Sequence, residues 1–217
     1  MVGLSQEQRR TTTDLDFDFV RYSISRDSDI ELFVDVLNKK DSQYEVKING
    51  KIEELHQQDY RGKRVKLIIK DETESIRFKL DIGVHTLLAI DQEKMCFSFG
   101  QGKDIVLLAN PPEQMIAEKL FSLAKIGPAS VRFKDIDDIY YLIKNGPINI
   151  EIVRKCLELI TLNPLNEIKD IQDVINSVGD ILDNQFFIDG YLNSGNVWLK
   201  EDFKVVKSCI LDFIYKI

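Results

Sequence analysis

Acidic and apolar residues alternate strictly along 14–19, so a strand there projects Asp14, Asp16 and Asp18 from one face and Leu15, Phe17 and Phe19 from the other. The same period of two returns at 76–82. There Phe78, Leu80 and Ile82 share one face, and Arg77, Lys79 and Asp81 the opposite one. Between these stretches an Asp and Ser start leads into Ile30, Phe33, Val34 and Leu37 at helical spacing, which predicts a helix over 27–37. Strand-like segments follow at 44–52, with an Asn49-Gly50 turn signal, at 64–70 and at 75–82, then at 95–99 and 105–108. Residues 1–8 read as the tail of a helix. After Asn110-Pro111-Pro112 the apolar period lengthens to three and four residues, predicting helices at 115–124, 136–143, 150–160 and around 203–215. Two adjacent prolines disfavour helix before them and permit one just after. The pattern therefore predicts an α/β half over 1–110 and a helical half over 111–217.

Composition narrows the class without naming a function. The 217 residues are 44% hydrophobic and 30% charged, as in a globular domain, and no apolar run is long enough to span a bilayer. Three widely spaced cysteines, Cys96, Cys156 and Cys209, suit free thiols in a reducing cytoplasm better than a disulfide framework or a zinc site. A net charge of −7 argues against a generally basic nucleic-acid binder. Cations do concentrate at Arg61, Lys63, Arg64 and Lys66, which read as a solvated turn between strands.

The candidate chemistry is carboxylate chemistry. Asp14, Asp16 and Asp18 on one face repel and raise one another's pKa unless a cation faces them, and a divalent metal is the obvious one. If the strands at 14–19 and 76–82 lie side by side, Asp81 joins Asp14 and Asp16 in a three-carboxylate site able to hold Mg²⁺ for phosphoryl transfer. An EF-hand is excluded, because its sixth and twelfth positions counted from Asp14 are Phe19 and Ser25. The polar lead-in Arg10 to Thr13 is unlike the apolar run expected before a phosphatase-type nucleophile on a buried strand. His56 and His85 have no ligand partner at helical spacing, and no Walker, Rossmann or nucleophile-elbow signature is present. In the helical half, Lys119 is placed to reach phosphate oxygens, and Arg132 and Lys134 precede an acidic cluster, Asp135, Asp137 and Asp138, at a helix start.

In chain order, Arg10-x-Thr12-x-Asp14-Leu15-Asp16-Phe17, Lys79-Leu80-Asp81-Ile82, Ala117-Glu118-Lys119-Leu120 and Arg132-x-Lys134-Asp135-x-Asp137-Asp138-Ile139 resemble the AbiEii/AbiGii toxins. These are nucleotidyltransferase-like toxins of bacterial toxin–antitoxin and phage-abortive systems, within the polymerase-β-type superfamily. The resemblance implies an α+β fold: a nucleotidyltransferase-type mixed sheet with flanking helices over 1–110, then a helical C-terminal domain over 111–217. It implies Asp14, Asp16 and Asp81 as catalytic metal ligands for Mg²⁺ or Mn²⁺. It also implies Lys119 and Lys134 at the nucleotide, with Lys119 and Asp135 in the catalytic set. The implied activity is transfer of a nucleotide from an NTP to an acceptor such as tRNA, in the cytoplasm, with a cognate antitoxin as protein partner. One departure stands out: the family's Gly-Gly or Gly-Ser turn, about a dozen residues before the metal pair, is not matched, since Gly3 alone precedes Asp14. The expectation is a shortened or decayed toxin. The alternative function is a catalytically inactive nucleotide- or antitoxin-binding protein on the same fold.

Overall fold

The computed structural model describes residues 14–20, 24, 26–40, 44–56, 61–85, 88–98, 104–164, 166–195 and 197–217. The helix tail expected at 1–8 and the Arg10 and Thr12 positions of the first motif lie outside them. The chain divides into two compact units, Thr11–Leu88 and one built mainly on Ala89–Ile217.

The first unit is a mixed sheet under one helix. Its elements are β1 (Asp14–Val20), α1 (Asp27–Lys40), β2 (Glu45–Ile48), β3 (Glu53–His56), β4 (Arg61–Lys70) and β5 (Ser75–His85). The strand order is β1-β5-β4-β2, with β3 also paired to β4. β1 runs parallel to β5, and every other pairing is antiparallel. The period of two dictates the two faces: Val65, Leu67, Leu80 and Ile82 are buried together with Val46 and with Ile30 and Val34 of α1. That leaves Asp16, Lys79, Asp81, Arg64 and Lys66 on the face away from α1.

Two expectations need correction here. The basic run at 61–66 is not a solvated turn; it lies inside β4, and Lys63, Arg64 and Lys66 each meet an acid. Lys63, only 2% exposed, donates to Asp27 Oδ1 at 2.8 Å and Glu54 Oε1 at 2.6 Å. Lys66 reaches Glu53 at 3.3 Å. Nor does the Asn49-Gly50 turn signal reverse the chain, because β2 and β3 on either side of it pair with β4 in the same direction, β2 at 67–70 and β3 at 61–64. Four residues, 49–52, stand opposite two, 65 and 66, so the positive φ of Gly50, 104°, serves a bulge in one long antiparallel edge.

The second unit begins with a two-stranded sheet, β6 (Glu93–Ser98) and β7 (Asp104–Ala109), and continues as helices. These are α2 (Pro112–Ile126), α3 (Phe133–Asn145), α4 (Ile150–Leu162), α5 (Ile171–Asp183), α6 (Gln185–Leu192) and α7 (Phe203–Ile214). Pro112 stands in the first turn of α2, where a missing N–H costs nothing. Side chains of Asn149, Asp170, Asn184 and Asp202 each accept an N–H from the first turn of the helix they precede. The core joins Ile116, Leu120 and Leu123 of α2 to Ile136 and Ile139 of α3, Leu157 of α4, Ile181 of α5 and Ile210 of α7. Among the described residues no helix is long and apolar enough to cross a membrane.

Candidate active site

The sequence-predicted residues fall into two clusters, one in each compact unit. In the sheet unit, parallel pairing sets Asp14 across from Lys79 and Asp16 across from Asp81. Register partners on neighbouring strands share a face, so the expected side-by-side placement of Asp16 and Asp81 is what the fold provides. The row continues onto β4 and β3, because Asp81 pairs in register with Arg64 and Arg64 with Glu53. Arg64 grips Asp81 with both arms of its fork: Nε to Oδ1 at 2.8 Å and a terminal nitrogen to Oδ2 at 2.7 Å. Such a bidentate pair fixes the carboxylate as well as neutralising it. Asp16 is exposed, and the side chains of Asp14 and Asp18 lie outside the described set.

In the next row the two central positions are glycines. Gly83 follows Asp81 on this face and pairs with Gly62, opposite Asp18 on the other side. A Cβ on Gly62 would stand 2.2 Å from the Ile82 carbonyl oxygen, so only glycine allows β4 to approach β5 there. Among the described residues, no group of three His, Cys, Asp or Glu side chains is placed to hold a metal.

In the helical unit, Lys119 projects from α2 between two carboxylates at the start of α3. Its Nζ lies 2.6 Å from Asp135 Oδ1 and 2.9 Å from Asp138 Oδ2. Asp135 takes a second charge-assisted bond, from Arg132 Nε at 2.6 Å, and Asp138 accepts from the Trp198 indole at 3.1 Å. Burial pulls the Lys119 pKa down, but the two carboxylates together outweigh it and hold it above the ordinary lysine value. Burial likewise pushes Asp135 up, and Lys119 with Arg132 overrides that and lowers it. Lys134, one residue before Asp135, is half-buried.

Asp137 points elsewhere. It is fully buried and accepts from the Tyr191 hydroxyl, from Trp198 N at 2.7 Å and from Leu199 N at 3.2 Å. Burial raises its pKa, and these donors only partly offset that. The middle acid of the motif thus ties α3 to α6 and to the segment leading into α7. Sequence reasoning read Arg64 as a solvated cation and Asp138 only as part of a helix-start cluster, and it missed Tyr191 and Trp198. Arg64 was readable in principle as the cation in register with Asp81, whereas Tyr191 and Trp198 come from more than 50 residues downstream of Asp137 with no local signal.

A family model described as nucleotidyl transferase AbiEii toxin, type IV toxin–antitoxin system, matches residues 4–183. The chain belongs to this family. All four resembling motifs fall inside the AbiEii match, which ends at the last residue of α5. No curated protein matches the chain. Among solved structures, the crystal structure of JHP933 from Helicobacter pylori aligns with 16% identity and a TM-score of 0.42, covering 98% of this chain and 78% of that one.

Proposed function

We propose that this AbiEii family member is a metal-dependent nucleotidyltransferase that moves a nucleotide from an NTP to an RNA acceptor such as tRNA. The observation that carries the reading is the register of β1 on β5, which lines up Asp16 with Asp81 at a family motif. Carboxylates without sulfur or imidazole suit a hard cation, Mg²⁺ or Mn²⁺. Asp14 and Asp16 are assigned as its ligands. Asp81, with both oxygens on Arg64, is assigned as the adjacent third carboxylate. The ion, when bound, lowers the pKa of an attacking hydroxyl and offsets triphosphate charge. An ammonium has three N–H groups, and Lys119 uses two on Asp135 and Asp138. The third is assigned to a phosphate oxygen, Asp135 to aiming that ammonium, and Lys134 to the nucleotide beside it. A cognate antitoxin is the assigned protein partner, and the cytoplasm the assigned location.

One observation favours the second reading, an inactive nucleotide- or antitoxin-binding protein: the Arg64 fork already neutralises Asp81, the would-be third ligand. Labelled NTPs offered with Mg²⁺ or Mn²⁺ and bulk tRNA separate the two. Transfer of label that disappears in the Asp14→Asn, Asp16→Asn double variant supports the enzyme. Absence of transfer with every NTP and both metals, while NTP still raises the melting temperature, establishes the binder.

A further inference from the structure

A groove of about 600 Å³ lies between the C-terminal end of α3 and the outer face of α7. Ile143, Val205 and Phe213 give it an apolar lining, and Lys144, Lys204 and Lys216 stand around it. All three lysines are exposed, and among the described residues none of them forms an ion pair. Lys207, elsewhere on α7, does form one, with Asp183. Three cations thus gather beside an apolar surface in a chain of net charge −7. The AbiEii match ends at residue 183, before α7 begins, so the groove depends on a helix outside the region that defines the family.

We propose that this groove docks an acidic, amphipathic segment of another protein, whose apolar side chains cover Ile143, Val205 and Phe213 while its carboxylates meet Lys144, Lys204 and Lys216. Charge complementarity selects an acidic partner. The apolar lining selects a peptide over a nucleic acid, since a phosphate backbone leaves it uncovered, and Phe213 is too buried to stack a base. Asp212 also lines the groove. It opposes a uniform polyanion, whereas a peptide can set a neutral or basic residue against it.

The test uses the full chain and a labelled helical peptide of about 14 residues, with leucines at i, i+4 and i+7 flanked by glutamates. A second peptide has the same charge, with the leucines replaced by glutamines. Fluorescence anisotropy is expected to show binding of the first peptide that weakens with salt and falls about tenfold or more in Lys144→Glu, Lys204→Glu, Lys216→Glu. Val205→Asp, an exposed position, is expected to weaken it comparably with melting unchanged. Alkylation of half-buried Cys209 should slow when the peptide is bound, with exposed Cys96 as the internal control. Equal binding of the glutamine peptide, or displacement by poly(U) at lower charge concentration than by the leucine peptide, would identify a polyanion patch and overturn the proposal. So would no binding of the leucine peptide by the wild-type chain.

Discussion

Replacing Lys119 with Met removes one ammonium from between two nearly inaccessible carboxylates, Asp135 at 5% exposure and Asp138 at 0%. Met keeps most of the stem, so the lost contact is the charge rather than the packing. Asp135 retains Arg132, itself half exposed, at 2.6 Å. Asp138 keeps the Trp198 indole as a donor. Removing one partner of a buried ion pair costs about 3–5 kcal/mol. The lower end is expected because both carboxylates keep a donor once the ammonium is gone. A loss of about 3 kcal/mol lowers the melting temperature of a chain this size by roughly 6–12 °C.

The assay is a double-mutant cycle followed by calorimetry or urea unfolding. Asp138→Asn keeps the shape and still accepts from Trp198, so the double variant Lys119→Met, Asp138→Asn should be about 1–3 kcal/mol more stable than the two single changes added together. Wild-type stability should also carry the signature of the network in pH. Asp135 titrates below its ordinary value of 3.8 and Lys119 above its ordinary value of 10.5, so their contribution is complete between those values. It is lost as pH falls through the lowered Asp135 value and again as pH rises through the raised Lys119 value. Additivity of the cycle to within about 0.5 kcal/mol, or a Lys119→Met penalty no larger than that of an exposed lysine, would refute a buried charge network.

Other outcomes rest on the same structure. Mg²⁺ or Mn²⁺ is expected to raise the melting temperature, and Asp14→Asn with Asp16→Asn to abolish the rise; a full shift in the double variant would place the metal elsewhere. Gly62→Ala should cost about 1–3 kcal/mol in urea unfolding, because the new Cβ meets a backbone oxygen that cannot swing aside. Lys63→Met, in contrast, should cost about 1 kcal/mol or less, since Asp27 and Glu54 remain 60% and 55% exposed and rehydrate when unpaired. Limited proteolysis is expected to leave α2 to α7 as one fragment beginning near our proposed boundary at 110/111. A fragment beginning near Ala89 would instead assign β6 and β7 to the helical domain, where the compact units divide.

Period and capping made much of the fold legible, and the failures are local. The strands at 75–82 and 105–108 and the helices at 136–143 and 150–160 are present and slightly longer than their apolar patterns. α5 and α6 went unread, although Val174, Ile175, Val178, Ile181 and Leu182 are buried at helical spacing in α5. Gly179 and the surrounding Asn and Asp residues mimic loop punctuation there. Asn184 both ends α5 and caps α6, so the two helices read as a single broken one.

The site was legible as residue types but not as partnerships. Alternation alone places Asp14 and Asp16 on one strand face, and parallel pairing with β5 adds Asp81, because a period of two fixes the face once the strands are neighbours. What no period carries is which cation answers which acid. The run at 61–66 reads as a basic patch because its partners come from three other elements: Asp27 of α1, Glu53 and Glu54 of β3, and Asp81 of β5. The helix-start electrostatics read at 132–138 are real for Asp135, yet Asp137 and Asp138 are buried by contacts from beyond α6. The same motif therefore has two duties: its outer acids grip Lys119, the proposed phosphate contact, and its middle acid ties α3 to α6 and the segment entering α7. An activity loss at Lys119 or Asp135 consequently identifies chemistry only when the variant's melting temperature is unchanged. Asp14 and Asp16, with Asp16 exposed on a sheet whose core lies on the other face, are the positions where activity and stability can be separated.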